Sequence, residues 1–128
     1  MQGIKGESVL YGLDNMNSEL DSIVTKMNLK SQHFEIKLVI SEAVNNAFVH
    51  GNNCDKSKPI LVKWQVLGKK LTLTVTDCGD GIKSLDIVKE INQNNILSES
   101  GRGLFIINCY ADEVNYIDNS IIVKKYIM

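Results

Sequence analysis

The sequence has little of what marks a secreted, membrane-bound or nucleic-acid-binding protein. Its three cysteines, Cys54, Cys78 and Cys109, show no Cys-x-x-Cys spacing and no matching histidine pair, which argues against a disulfide framework or a structural zinc site. No leader-type apolar segment follows Met1, and no apolar run reaches transmembrane length. A net charge of -1 provides no basic field for nucleic acid or anionic lipid. We therefore expect a cytoplasmic protein that binds neither nucleic acid directly nor a membrane.

The chain also lacks any linker that would divide it, since it has one proline, no repeat and no low-complexity tract. Its 128 residues suffice to bury a core, so residues 1–128 are expected to form one domain. Apolar periodicity predicts a strand over Ser8–Leu13, helices over Asp14–Leu29, Gln32–His50 and Gly103–Ala111, a hairpin over Pro59–Thr76 and a final hairpin over Glu113–Ile127. This order predicts an α+β fold, a two-layer sandwich with helices on one face of a mixed, mainly antiparallel sheet.

Three polar residues lie along one edge of the predicted second helix. Because four residues advance a helix by about one turn, Glu42, Asn46 and His50 are stacked beside the buried stripe. An amide oxygen is a suitable ligand for Mg²⁺, and a carboxylate one turn away can deprotonate a hydroxyl nucleophile. Glu42 and Asn46 could equally be solvated residues of the helix face. Gly51 is predicted to close this helix in the left-handed conformation.

Two glycine-containing segments follow. In Asp77–Gly81 the glycines leave room for a ligand, and Asp77 could accept a hydrogen bond from an exocyclic amine, although a simple β-turn is the alternative. Gly101–Gly103 precedes an apolar helix, whose bare N–H groups and positive terminus suit a phosphate. The alternative is a linker that ends at a helix start, because the dinucleotide-binding fingerprint is not matched.

The order of these segments is more specific than each segment alone. Together Glu42–Gly51, Asp77–Gly81 and Gly101–Leu104 resemble the N box, G1 box and G2 box of the ATPase superfamily shared by gyrase, Hsp90, histidine kinases and the mismatch-repair MutL proteins. The Asn-Ala-x-x-His-Gly ending of the first segment, with Ala111–Val114 after the last, is similar to the small anti-sigma factor serine kinases of bacterial sporulation and stress switches. The resemblance implies the Bergerat ATP-binding fold of the GHKL superfamily over nearly the whole chain.

The resemblance also implies roles for single residues. Glu42 would be the general base for the attacking serine hydroxyl, Asn46 would coordinate Mg²⁺ on the ATP phosphates, and Asp77 would accept the adenine amino group. The backbone of Gly101–Leu104 would cradle the phosphates, and Ile82–Ser100 would be the ATP lid. The full set of implied ATP-binding residues is Asn45, Asn46, His50, Asp77, Gly79, Gly81, Ile82, Gly101, Arg102, Gly103, Leu104 and Ser120.

Some features depart from the family pattern. The lid contains no proline, and Asn119-Ser120 stands where many members carry Gly-Thr before the last strand. Ser120 could replace the threonine hydroxyl, or that contact could be absent. Arg102 could reach the γ-phosphate as a bidentate donor or point to solvent.

The function implied by the resemblance is that of an anti-sigma factor with serine kinase activity. It would use ATP and Mg²⁺, phosphorylate a small anti-anti-sigma antagonist, sequester a sigma factor and form a homodimer. The alternative is a non-catalytic ATP-sensing module of the same fold, whose lid state gates partner binding. A detached histidine-kinase domain is disfavoured because no helix pair bearing a target histidine precedes the Glu42 helix, and a topoisomerase-type or chaperone ATPase because no transducer domain is seen.

Overall fold

The computed structural model describes residues 3–29, 31–79 and 99–127, with the side chains of residues 99–102 outside the description. Gly81, Ile82 and the predicted lid up to residue 98 therefore lie outside the described residues. Within the described ranges, no helix is long and apolar enough to cross a membrane.

One five-stranded sheet carries the helices on one of its faces. In chain order the described elements are β1 (Ile4–Tyr11), α1 (Met16–Lys26), α2 (His33–Asn46), a π-helical turn (Ala47–Gly51), β2 (Pro59–Leu67), β3 (Lys70–Thr76), α3 (Glu99–Tyr110), β4 (Glu113–Ile117) and β5 (Ser120–Tyr126). The strand order is β1-β2-β3-β5-β4, and every neighbouring pair among these strands is antiparallel. The predicted α+β sandwich is thereby confirmed.

The hairpin of β2 and β3 follows the predicted alternation, because apolar side chains at every second position can share one buried face. Trp64 pairs with Leu73 across the two strands, and Lys63 beside it is exposed. The buried residues of this hairpin are Ile60, Val62, Trp64, Val66, Leu71, Leu73 and Val75. Since β3 lies in the middle of the sheet and ends at Thr76, the G1 segment begins next to the turn between β4 and β5.

Helix α2 lies between α1 and α3 and places the N box over the sheet. Its buried stripe contains Ile36, Val39, Ile40 and Ala43, as predicted from the helical period. Glu42 and Asn46 are half-buried beside this stripe, at the boundary between the core and α3.

Two predicted boundaries differ most from the structure. Strand β1 begins at Ile4 rather than Ser8, because its ladder runs along the whole of β2, from Ile4 opposite Val66 to Tyr11 opposite Pro59. Helix α3 begins at Glu99 rather than Gly103, so Gly101 lies in its first turn and Gly103 in its second. For β1, pairing with β2 extends the strand beyond its local sequence preference.

Candidate functional site

The N box and the G2 box meet where α2 packs against α3. Gly103 is buried at this contact, and a Cβ atom on it would lie 2.9 Å from Glu42 Oε2 and 3.3 Å from Asn46 Nδ2. The backbone of α3 therefore passes directly over the carboxylate and the amide that the sequence singled out. A glycine at this position leaves both polar groups in place, since any side chain would displace them.

The second contact is made by the π-helical turn at the end of α2. Asn52 N donates to Ala47 O at 2.8 Å, which widens the last turn and directs Gly51 towards the sheet. A Cβ atom on Gly51 would lie 2.0 Å from Asp77 Oδ2. The prediction that Gly51 ends the helix in the left-handed conformation is wrong, because its φ is not positive. Gly51 is needed because its backbone touches the Asp77 carboxylate.

Asp77 is held in this position from several sides. It is 8% exposed, Gly79 N donates to its Oδ1 at 2.8 Å, and its own N–H donates to Asn119 O at 3.0 Å. The side-chain amide of Asn119 donates to Asp77 O. Gly79 lies so close to Gly51 that a Cβ atom on it would meet Gly51 O at 2.2 Å. The predicted hydrogen-bond acceptor is thus buried and fixed at the end of β3, as a charged group inside a protein must be to remain stable.

Asn52 is a buried residue that the sequence reasoning missed. It is fully buried, and its Nδ2 donates to Lys58 O and Pro59 O, each at 3.2 Å. Its Oδ1 accepts from Cys78 N at 2.7 Å. One side chain thereby joins the end of the N box, the start of β2 and the residue after Asp77. No periodicity marks Asn52 in the sequence, since it lies just past the helix.

Replacing Asn52 with alanine is expected to lower the free energy of unfolding by about 2–4 kcal/mol, because buried backbone groups lose their partners. ATP affinity should fall as well, because Cys78 N–H anchors the turn that carries Asp77. Denaturant unfolding and ATP titration measure the two effects. Asn17→Ala, at an exposed position of α1, is the control and should change stability by less than about 0.5 kcal/mol. Wild-type stability in Asn52→Ala would contradict this role.

A narrow cavity connects these contacts. Its lining residues are Ala43, Asn46, Ala47, His50, Gly51, Val75, Asp77, Tyr116, Asn119 and Ile121. Two of them carry buried polar atoms, Asn46 Nδ2 and the Tyr116 hydroxyl, for which the described part of the chain supplies no hydrogen-bond partner. Buried polar atoms are nearly always paired in native proteins. A cavity that combines a fixed carboxylate with unpaired donors is therefore suited to a polar ligand group that offers both a donor and an acceptor.

A wider concavity of about 560 Å³ lies on the opposite, solvent-facing side of the sheet. Its lining residues are Lys5, Gly6, Glu7, Lys63, Trp64, Gln65, Thr72 and Thr74. It contains none of the predicted site residues, and its charged groups lie on an open strand surface. We place the site in the narrow cavity because the buried Asp77 and the unpaired donors are there.

The other predicted residues occupy different positions. Asn45 is half-exposed and does not line the cavity. Ser120 does not line it either, because its hydroxyl is bonded to Thr76 Oγ1 at 2.6 Å, and Asn119 takes the position facing the cavity. Leu104 is buried in the core. The side chain of Arg102 lies outside the described part of the chain, so its two predicted orientations stay open.

The family of the chain follows from comparison with known proteins. The model of the histidine kinase-like ATPase domain matches residues 13–123, a range that contains all three boxes. The chain belongs to this family. The matched range includes all three contacting segments, so they belong to one ATPase domain.

Several curated proteins are similar to this ATPase domain. The anti-sigma F factor of Clostridium perfringens strain 13 is 32% identical over 98 residues, which is 71% of the present chain and 70% of that protein. The anti-sigma F factor of Anoxybacillus flavithermus is 36% identical over 63% of the chain and 57% of its own length. The serine-protein kinase RsbW of Bacillus licheniformis is 31% identical over 82% of the chain and 71% of its own length.

Asn46 carries the kind of amide oxygen that Mg²⁺ prefers, and its side chain lies at the contact of α2 and α3. Its buried Nδ2, which lacks a partner within the described residues, is a donor and would serve an acceptor such as a phosphate oxygen rather than the ion. The same part of the chain contains no group of three or more His, Cys, Asp or Glu that could hold a metal alone. Mg²⁺ usually takes one or two protein ligands together with phosphates and water. The donor set of this ATPase domain therefore fits an ion that arrives with a nucleotide.

Proposed function

We propose that this protein is an ATP-dependent serine kinase that acts as an anti-sigma factor. It phosphorylates a small anti-anti-sigma antagonist and sequesters a sigma factor when the antagonist is phosphorylated. The observation that supports this best is the Glu42 carboxylate, held beside Asn46 and the backbone of Gly103 in a chain similar to anti-sigma F factors and a serine-protein kinase.

In this proposal Asp77 and Asn46, which both line the cavity, contact different parts of the nucleotide. Asp77 accepts the exocyclic amino group of adenine, and the first turn of α3 offers backbone N–H groups and a positive dipole end to the phosphates. Asn46 would hold Mg²⁺ through its amide oxygen, and the bound ion would neutralise charge on the phosphates. Positioning and charge neutralisation account for most of the catalysis of phosphoryl transfer.

Glu42 serves the chemical step itself. Its carboxylate takes the proton from the serine hydroxyl of the antagonist, and the serine oxygen forms a bond to the γ-phosphorus. The bond between that phosphorus and the bridging oxygen breaks, and ADP leaves with the electron pair. The transfer needs no reactant other than ATP and the serine of the antagonist.

The proposal is tested by transfer of label from [γ-³²P]ATP to a small anti-anti-sigma antagonist from the same organism. We expect phosphoserine on the antagonist and no label on a variant of the antagonist without that serine. Capture of a sigma factor from the same organism should be stronger with ATP than with ADP. Nucleotide-dependent capture without any label transfer would instead favour the ATP-sensing module.

Compartment and assembly form part of the same proposal. We place the protein in the cytoplasm, where a sigma factor and ATP are available, and expect it to act as a homodimer. Both statements rest on the family resemblance.

A further inference from the structure

Tyr116 lines the same cavity as Asp77, yet its hydroxyl makes no hydrogen bond to any described residue. The hydroxyl oxygen is buried and has no hydrogen-bond partner in that part of the chain. A buried tyrosine normally finds a partner for this group, and leaving it unpaired costs free energy. Phenylalanine would fill the same space without that cost. The hydroxyl is therefore available to a group that enters the cavity.

The position of Tyr116 follows from the sheet. β4 pairs with β5, and Tyr116 stands opposite Ile121, which also lines the cavity. Alternation along β4 turns Val114 and Tyr116 inwards and leaves Asn115 and Ile117 exposed. Since β5 separates β4 from β3, the ring reaches the cavity across Ile121 towards the end of β3, where Asp77 lies. The two polar side chains thus face one ligand space from two strands.

The hydroxyl is suited to be a donor. Burial raises the pKa of Tyr116, so the phenol keeps its proton throughout the neutral range. Asp77 is an acceptor, and its carboxylate is held by Gly79 N at the end of β3. The cavity therefore offers one acceptor and one donor to the edge of a bound ligand.

This pair matches the amino edge of adenine. The 6-amino group is a donor, and the ring nitrogens N1 and N7 on either side of it are acceptors. Guanine carries an acceptor oxygen at the same place and would face the Asp77 carboxylate unfavourably. We propose that the Tyr116 hydroxyl donates a hydrogen bond to a ring nitrogen beside the 6-amino group and is a second adenine-recognition residue. The inference rests on the ATP site of the proposed function and adds a residue that the sequence did not single out.

The test uses Tyr116→Phe, which removes only the hydroxyl. ATP affinity should fall about tenfold, the expected effect of losing one buried hydrogen bond to the ligand. The melting temperature of the nucleotide-free variant should stay the same or rise, because an unpaired polar group is removed. Tyr126→Phe, the same change at an exposed position of β5, should alter neither value.

Nucleotides without one ring nitrogen identify the contact. The wild type should bind either 1-deaza-ATP or 7-deaza-ATP about tenfold more weakly than ATP, and Tyr116→Phe should bind that analogue as well as ATP. Two results would overturn the inference. The first is a Tyr116→Phe variant that binds ATP as tightly as the wild type does. The second is a Tyr116→Phe variant with a lowered melting temperature that still binds both 1-deaza-ATP and 7-deaza-ATP more weakly than ATP. If the wild type binds ATP but transfers no label while Tyr116→Phe weakens binding, the kinase proposal alone fails.

Discussion

Replacing Glu42 with glutamine is expected to lower the rate of phosphoryl transfer by about 10²–10⁴-fold, the usual contribution of a general base. Glutamine has nearly the same size, so it should keep the close contact with Gly103. It has no basic oxygen, so the serine hydroxyl would have to lose its proton without help. ATP affinity should change little, because the proposed adenine contact is Asp77, in a cavity that Glu42 does not line. Initial rates of label transfer at saturating ATP and a direct ATP titration separate the two quantities.

Glu35→Gln provides the matched control for this change. Glu35 lies two turns earlier on α2 and pairs with Lys125 at 3.7 Å, away from the cavity lining. A partly exposed ion pair of this kind contributes about 0–1 kcal/mol, so the rate of transfer should be that of the wild type. Transfer by Glu42→Gln at the wild-type rate would exclude the role of Glu42 as base. Equal losses of rate and affinity would make Glu42 a binding residue.

Replacing Gly51 with alanine is expected to weaken ATP binding by about 100-fold. The loss has two causes, because the new methyl group would displace the Asp77 carboxylate that accepts the hydrogen bond and would overpack its surroundings. The new methyl group would stand 2.0 Å from Asp77 Oδ2, which is impossible without movement. Asp77 is buried and held through Gly79 N and Asn119, so it cannot turn away at low cost. The free energy of unfolding should fall by about 1–3 kcal/mol. ATP titration and denaturant unfolding measure the two effects.

Gly103→Ala is the informative comparison, because the chemical change is the same at the contact with Glu42 and Asn46 instead of the contact with Asp77. The atom nearest to its new methyl group is Glu42 Oε2, at 2.9 Å, whereas the new methyl group of Gly51→Ala would stand 2.0 Å from Asp77 Oδ2. This variant should lose transfer rate more than ATP affinity, and Gly51→Ala should lose affinity first. Wild-type ATP binding in Gly51→Ala would contradict the placement of the adenine end against Asp77.

Much of the fold was predictable because it repeats over short distances in the chain. The period of two in β2 and β3 and the helical period in α2 identify the buried faces without knowledge of what they pack against. Predictions made from single glycines were less successful. The helical segment ends at Gly51 as predicted but without the left-handed conformation, and Gly103 lies in the second turn of α3 rather than at its start. In the structure both are positions where two segments touch, because a missing side chain permits close approach as well as an unusual φ.

The sequence by itself determined which residue types are present and in what order: a carboxylate and an amide on one helix edge, an aspartate after a strand, and glycines before an apolar stretch. Only the tertiary structure decided which of them meet. Glu42 touches Gly103 because α2 packs on α3, and Gly51 touches Asp77 because a widened helical turn faces the end of β3. Asn119 and Tyr116 join the cavity because β5 and β4 follow β3 in the sheet. The physical reason is that local periodicity depends on neighbours in the chain, whereas contacts between distant segments depend on how whole elements pack.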